Sequence, residues 1–172
     1  DGENCQQLIT VAAEFVPKPD LMQKLAIALM DYCQDKGIKT VVSLEGINWQ
    51  SPEEPRIFGV GSTSSSRETL TKYGVEEMKE GMVSGISGVL LYQGELRGIN
   101  VICLLGPARV DLPDARGSAK LLEVVAKMLP ELKIDPEPLY KEAEEIEKQI
   151  RKAMESVNQP KKPSLEESVV YG

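Results

Sequence analysis

The sequence predicts an α/β protein with a parallel-rich central sheet flanked by helices, a long C-terminal helix and a flexible tail. Three observations predict this class. Two apolar, β-permissive runs, residues 7–16 and 38–44, lie on either side of an amphipathic helical stretch. A near-continuous apolar run, Ile99–Leu105, is typical of a strand that is buried on both faces of its sheet. Two further helical patterns follow it, at 115–129 and 136–158.

The first part of the chain predicts a strand, a helix and a second strand. Residues 7–16 predict the first strand, which two prolines end. Asp20 is a suitable N-cap for the helix, and Gly37 is placed to end that helix in the left-handed conformation. Ile38–Leu44 predicts the second strand. Elements at this spacing predict a βαβ unit, in which parallel strands are joined by a right-handed crossover.

The middle of the chain is less regular. Residues 45–56 predict a loop because they contain a glycine and two prolines. Ile57–Val60 predicts a short strand. A polar linker, Ser62–Ser66, then leads into a helix near 66–73, which a glycine ends.

The second half alternates between clear and ambiguous patterns. The glycine-rich segment 81–98 fits either a helix or a strand, and both interpretations stay open. The strand that begins at Ile99 is expected to break at Gly106-Pro107. Ala115–Leu129 predicts a helix with apolar residues along one face, and Pro130 closes it.

The last helix has a heptad pattern. Asp135-Pro136-Glu137-Pro138 opens it, with acids in the first turn where the helix dipole favours them. The apolar residues recur in alternating steps of four and three, which defines a heptad seam. The members of this seam are Leu139, Ala143, Ile146, Ile150, Ala153 and Val157. The seam fits packing on the chain's own core or on a second subunit.

The chain therefore divides into three predicted regions. Residues 1–135 form the α/β core, for which two alternatives stay open: a core of this extent, or one that has a further N-terminal element. Residues 136–158 form the heptad-patterned helix. Residues 159–172 form a tail with two prolines and mixed charge, which is expected to be flexible.

Composition excludes several classes of function. The net charge of −7 does not fit a nucleic-acid-binding surface or a polybasic membrane patch, and no apolar run is long enough to span a bilayer. Three widely spaced cysteines do not form a disulfide framework, so a reducing, cytoplasmic setting is expected. The absence of histidine removes Ser-His-Asp and Cys-His mechanisms and histidine-based zinc sites. No catalytic residue, metal ligand or cofactor is predicted.

Three sets of residues resemble functional sites but have simpler interpretations. Gly81, Gly85 and Gly88 fit no phosphate-binding motif, so tight helix–sheet packing is favoured. Ser62–Ser66 with Arg67 could hold an anion at a helix N-terminus, but a solvated linker with an N-cap is favoured. The acids Glu45, Asp111 and Asp114 are interpreted as surface or capping carboxylates.

Three stretches, taken in order, resemble the proteasome-assembly-chaperone family, in particular its archaeal members of the chaperone 2 type. The first is Gly37–Gly46. The second is Gly85–Leu91 followed by Gly98-Ile99 and the strand to Leu105. The third runs from Pro113-Asp114 through a helix to Leu132–Asp135 and Pro138-Leu139. Together the resemblance covers most of residues 38–150.

The resemblance implies a fold similar to that of nucleoside phosphorylases, without their chemistry. Members of that family bind the α-ring of the proteasome core particle, and they act in its assembly or as activators that need no ATP. They commonly self-associate, so the resemblance implies a homo-oligomer, with a paralogous chain as the alternative partner. It also implies that a further strand and helix precede this region in other members.

The C-terminal tripeptide, Val170-Tyr171-Gly172, is the predicted partner-binding site. Several proteasome-binding proteins end in a hydrophobic residue, tyrosine and any residue, and this sequence matches that pattern. A terminal carboxylate can pair with a lysine in a pocket between α-subunits. Tyr171 adds a rigid body with a hydroxyl group, and Val170 fits a small apolar niche.

Two other functions are weighed against this one. A small-molecule or nucleotide-handling α/β enzyme would need a polar pocket at the carboxyl ends of the strands, near Glu45–Asn48 and Gly106–Asp111. A structural partner-binding subunit would use its folded surface, and the tail would be incidental.

Overall fold

A computed structural model describes residues 8–13, 16–48, 56–108 and 114–157, and of residues 151 and 154–157 it describes the backbone. Five α-helices, four strands and one short 3₁₀ turn lie within these ranges. In chain order they are α1 Pro19–Asp35, β1 Thr40–Asn48, β2 Phe58–Gly61, α2 Ser64–Lys72, β3 Glu76–Glu77, α3 Gly85–Arg97, β4 Asn100–Ala108, α4 Ala115–Met128, the 3₁₀ turn Pro130–Leu132 and α5 Glu137–Val157. The four strands form one mostly parallel sheet in the order β1-β4-β2-β3, which confirms the predicted fold class.

The chain packs as two compact units. The first comprises Asp1–Ser43, Gly59–Lys72 and Glu76–Cys103. Its core lies where α1 packs against α3, and its members are Ala26, Met30, Cys33, Leu90, Ile99 and Val101. The second comprises Leu44–Phe58, Tyr73–Val75 and Leu104–Gly172, and its α4 packs against α5.

Strand β4 is buried along almost its whole length, as its apolar sequence predicted. The prediction that Gly106-Pro107 breaks it was wrong, because the strand continues to Ala108. A Cβ on Gly106 would lie 2.7 Å from Cγ of Leu121, so the glycine lets α4 pack closely on the strand. The Val101 carbonyl accepts a hydrogen bond from the N–H of Ser62, which directly follows β2. Because backbone groups alternate along a strand, the backbone of Pro107 is directed to the same side of β4. Strand β2 has four residues and β4 has nine, so β2 does not lie beside Pro107. No backbone N–H is needed for pairing at that position, and a proline can therefore occupy it.

Strand β1 begins two residues later than Ile38 and continues to Asn48, so the loop predicted from residue 45 was wrong at its start. The glycine at position 46 does not end the strand. A Cβ at Gly46 would lie 2.8 Å from Cβ of Ala108, so β1 and β4 approach each other closely at their ends. A glycine in a strand is favoured by such an approach.

The strand predicted at 7–16 is absent from its described part, and so is the βαβ unit that it would have begun. Residues 8–13 and 16 have no regular secondary structure. Their apolar side chains are exposed: Leu8 is 57% exposed, Val11 66% and Val16 85%. An apolar, β-permissive run becomes a strand only when the edge of a sheet pairs with it.

Helix α1 begins one residue before Asp20, so Asp20 is not its N-cap. Lys18 occupies the cap position and Pro19 the first turn, where a missing N–H costs nothing. Asp20 lies within the first turn, where its charge complements the helix dipole. The predicted end is confirmed, since Gly37 has a φ of 66°.

The ambiguous segment 81–98 contains a helix, α3. Gly94 lies inside it, and a Cβ there would be 2.5 Å from Cγ2 of Val101. Gly98 ends the helix with a φ of 67°. Gly94 therefore allows close contact between α3 and β4, and Gly98 ends the helix. Among the described helices, none is long and apolar enough to cross a membrane.

Candidate partner-binding site

The predicted binding tripeptide, Val170-Tyr171-Gly172, lies outside the described residues, as do residue 158 and the rest of the tail, 159–169. Helix α5 directly precedes the tail in the sequence. The contacts that hold α5 on α4 are therefore the part of this site that the structure describes. Two side-chain contacts between α4 and α5, both within the second unit, define that attachment.

The first contact is a forked ion pair. Arg116 donates from Nε to Oε1 of Glu147 over 2.9 Å, and from Nη2 to Oε2 over 3.2 Å. Two parallel bonds fix the orientation of both side chains. The hydrogen bond to Glu147 also raises the pKa of Arg116, so the guanidinium stays charged.

The second contact is a hydrogen bond from Tyr140 to Glu123. The Tyr140 hydroxyl donates to Oε1 of Glu123 over 2.6 Å. This bond, then partial desolvation and the carboxylate charge, raise the pKa of Tyr140 to about 12. The guanidinium of Arg116 lies 5.9 Å from the centre of the Tyr140 ring and favours the phenolate weakly.

These contacts show that α4 and α5 are antiparallel. Tyr140, near the start of α5, meets the later residue of α4, Glu123, whereas Glu147 meets Arg116 at the start of α4. Residues Lys148 to Val157 of α5 therefore extend past the first turn of α4. At 1.5 Å per residue this extension is ~15 Å long.

The heptad seam of α5 divides in the same way. Ala143 is buried, and Leu139 and Ile146 are half-buried, so this part of the seam packs on α4. Further along, Ile150 is half-buried and Ala153 is exposed. Of the two interpretations of the seam, packing within the chain's own fold holds for its first half.

In the serine-rich segment that resembled an anion site, the predicted N-cap is present, but the prediction of a solvated linker was wrong for Ser62 and Ser66, which are buried. Ser62 donates from Oγ to the Ile99 carbonyl over 3.0 Å and accepts from the Val101 N–H over 2.9 Å. Ser62 and Ser66 are both buried. Thr63 Oγ1 accepts from the Ser66 N–H over 3.1 Å, which caps α2. The hydroxyl groups therefore hold α2 onto the start of β4.

Gly81, which precedes α3, and Gly85 and Gly88, which lie in its first turn, were expected to pack a helix on the sheet, but they do not. A Cβ on Gly88 would lie 2.3 Å from the Val83 carbonyl oxygen, and Gly81 and Gly85 have φ values of 145° and 68°. They shape the turn that enters α3. Beside this turn is an open groove lined by Gln23, Val83, Ser84, Gly85, Gly88, Val89, Tyr92 and Gln93.

Two of the three acids that were considered as a catalytic set lie within the described residues. Asp114 Oδ1 accepts from the Gly117 N–H over 2.7 Å, so it caps α4 as predicted. Glu45 lies half-buried on β1, and Asp111 lies outside the described residues. Within the described ranges, no three His, Cys, Asp or Glu residues cluster closely enough to hold a metal ion.

An exposed apolar surface on the first unit was not predicted from the sequence. Its aromatic members are Tyr32 of α1, 44% exposed, and Tyr92 of α3, 60% exposed. Leu21, Leu25 and Leu96 of the same two helices are also exposed. For α1, helical spacing predicted an amphipathic helix that contains Leu21, Leu25 and Tyr32, but it did not show which of these residues are exposed, and no helix was assigned to the segment that contains Tyr92 and Leu96.

Comparisons with known proteins agree on one family. The model of the PAC2 family matches residues 2–154. An uncharacterized protein of Methanocaldococcus jannaschii is 33% identical over 150 residues, which are 87% of this chain and 61% of that protein.

Two solved structures are similar over most of this chain. Pyrococcus furiosus PbaA, described as an archaeal homolog of proteasome-assembly chaperone, is 34% identical with a TM-score of 0.76. The match covers 85% of this chain and 61% of PbaA. Pyrococcus furiosus PbaB, described as an archaeal proteasome activator, is 28% identical with a TM-score of 0.69, over 80% of this chain and 61% of PbaB. The chain thus spans about three-fifths of the length of these relatives.

Proposed function

Because this chain belongs to the PAC2 family, we propose that it is a non-catalytic proteasome assembly chaperone homologue or ATP-independent activator. Its C-terminal tail docks on the α-ring of the proteasome core particle. The observation that carries the proposal is its similarity to PbaA and PbaB, which are described as a proteasome-assembly-chaperone homolog and a proteasome activator. The proposed partner is inferred from the descriptions of those relatives, and the proposed mode of binding is inferred from the last three residues of this chain.

The chemistry of the tail supports docking. The carboxylate of Gly172 pairs with a lysine in a pocket between α-subunits, and the bond is strengthened because both groups are charged. Tyr171 brings an amphipathic ring with two rotatable bonds, so little conformational entropy is lost on binding. Val170 fills an apolar niche beside it. Binding shifts the α-ring toward an open or assembled state because the tail has higher affinity for that state.

The anchoring of α5 supports the same proposal. The Arg116–Glu147 and Tyr140–Glu123 contacts hold the first half of the helix on α4. The second half continues beyond them and leads to the tail. The folded body is thus a platform, and the contacts to the proteasome are made by the segment that follows α5.

Self-association completes the proposal. An oligomer of this chain, or of this chain with a paralogue, presents several tails to one α-ring in the cytoplasm. Simultaneous docking of linked tails raises the effective affinity by ~10²–10⁴ over one tail. A weak individual tail is then sufficient.

The experiment is peptide hydrolysis by a latent archaeal core particle, with a parallel binding assay, for the parent chain and Tyr171→Ala. We expect both stimulation and binding to be lost in the variant. Tyr92→Ala is the matched control, since it removes the same atoms from an exposed site on the folded body. If Tyr171→Ala binds as well as the parent, tail docking is wrong, and a loss in Tyr92→Ala would move the site to the α1–α3 surface.

A further inference from the structure

Helix α5 is attached to α4 through little buried apolar surface. Of the α5 side chains that the structure describes, Ala143 is the one that is buried, and it contributes a single methyl group. Leu139, Ile146 and Ile150 are half-buried. Because burial of apolar surface is the main favourable term in packing, α5 is attached more weakly than a helix with a fully buried seam.

The two polar contacts described above, Arg116–Glu147 and Tyr140–Glu123, therefore supply a large share of what keeps α5 in place. We call these two contacts the latch. The Arg116 and Glu147 side chains are 43% and 53% exposed, so dissolved ions reach both charges. The strength of this part of the latch thus depends on the charges around it.

The chain reverses between α4 and α5 through a residue in an unfavourable backbone conformation. Among the described residues other than glycine, Lys133 alone has a positive φ, of 47°. It directly follows the 3₁₀ turn Pro130–Leu132. A lysine in the left-handed region is strained, and such a conformation persists where other contacts hold the chain in place. The latch, which fixes α5 antiparallel to α4, is a contact of that kind.

Helix α5 has the features of a helix that stays intact away from α4. Its start is capped by Asp135, whose Oδ1 accepts from the Glu137 N–H over 3.0 Å. Glu144 and Lys148 form an exposed i,i+4 ion pair at 4.0 Å. The helix has 21 residues, more than the about 12–15 below which an isolated helix is marginal. It can therefore move as one rigid element.

We propose that α5 is a hinged helix with two positions, one latched on α4 and one released, and that Lys133 is the hinge. The latch holds the strain at Lys133, and screening of Arg116 and Glu147 or competition for the Glu147 carboxylate opens it. The two ends of α5 are ~30 Å apart, so a small rotation at the hinge moves the segment after α5 a long way. The effect of release on proteasome docking rests on the function proposed above.

The first test measures the distance between α4 and α5 in the 172-residue chain by pulsed electron paramagnetic resonance, in the absence of proteasome. Spin labels are placed at Ser118→Cys and Gln149→Cys, which are exposed positions on the two helices. Cys5→Ser removes one native thiol, and Cys33 and Cys103 are buried. We expect raising the salt to ~1 M, where the Debye length is ~3 Å, to increase the fraction of chains at a longer distance.

A charge reversal tests the latch directly. Glu147→Lys replaces attraction to Arg116 by repulsion, and we expect it to raise the fraction at the longer distance at least fivefold. Glu145→Lys is the matched control, because it makes the same change of charge at an exposed position on the opposite face of α5. If Glu147→Lys keeps the distances of the parent, or if Glu145→Lys changes them equally, the proposal is wrong.

The hinge has its own test, in the Glu147→Lys background. Glycine adopts a positive φ without strain, so we expect Lys133→Gly to lower the released fraction at least threefold. Glu131→Gly, at an exposed position in the 3₁₀ turn, adds backbone freedom without relieving a positive φ and should not lower it. An unchanged released fraction in Lys133→Gly would overturn the role given to this residue. Tyr171→Ala should leave all these distances unchanged, so failure here is distinguished from failure of tail docking.

Discussion

Arg116 and Glu147 face each other across α4 and α5 through two bonds, of 2.9 Å and 3.2 Å. The side chains are 43% and 53% exposed, so solvent screens the charges. We predict that Arg116→Lys, which keeps the charge and loses the fork, costs at most ~1 kcal/mol of unfolding free energy. Urea unfolding of Arg116→Lys, Glu147→Gln and the double variant measures the coupling. A coupling energy near zero would show that the fork orients α5 without stabilising it.

The high pKa of Tyr140 predicts an alkaline loss of stability. Its folded pKa is about 12 against an ordinary 10.0, because the hydroxyl donates to Glu123. A raised pKa means that the folded state retains the proton more strongly than the unfolded state. The contribution is therefore complete below pH 10 and is lost as the pH rises toward 12. The difference in ultraviolet absorbance between parent and Tyr140→Phe gives the pKa directly, and Glu123→Gln should lower it. No change in Glu123→Gln would contradict the assigned cause.

Ser62 holds two buried backbone groups. Its Oγ donates to the Ile99 carbonyl and accepts from the Val101 N–H. Ser62→Ala leaves both without this partner, and we predict a loss of about 2–4 kcal/mol from the cost of unsatisfied buried groups. Ser118→Ala is the control, since Ser118 donates to the Asp114 carbonyl but is exposed, and it should cost under about 0.5 kcal/mol. Equal effects in thermal unfolding would refute the role given to Ser62.

Gly94 offers a test whose sign is informative. In a helix without close neighbours, glycine to alanine stabilises by about 1 kcal/mol. A Cβ at Gly94 would instead lie 2.5 Å from Cγ2 of Val101 and 2.9 Å from the Ile99 carbonyl oxygen. We predict that Gly94→Ala destabilises by about 1–3 kcal/mol, as overpacking does. Adding Val101→Ala should recover part of this loss. A stabilised single variant would mean that α3 and β4 separate easily.

The sequence predicted those elements whose state depends on their own residues. The apolar composition of Ile99–Leu105 predicted a buried strand, and it is buried. Gly37 and Gly74 were predicted to end helices, and both have positive φ values. Helix α4 also lies where its apolar spacing placed it.

The wrong predictions involved residues whose state depends on a neighbour. Residues 8–16 need an edge strand to form a strand of their own, and their sequence contains no information about that edge. Gly106 and Gly46 were interpreted as breaks, but close approach of Leu121 and Ala108 explains them. The tripeptide Val170-Tyr171-Gly172 stays a prediction, since it lies outside the described residues.

The β3 edge of the sheet carries two adjacent carboxylates, Glu76 and Glu77. A fibril of stacked strands needs two edges that accept a neighbour, because each added chain must offer a new place for the next. Here Glu76 and Glu77 close one of them. Stacking of one sheet on another through the β3 edge is therefore opposed by the repulsion of like charges.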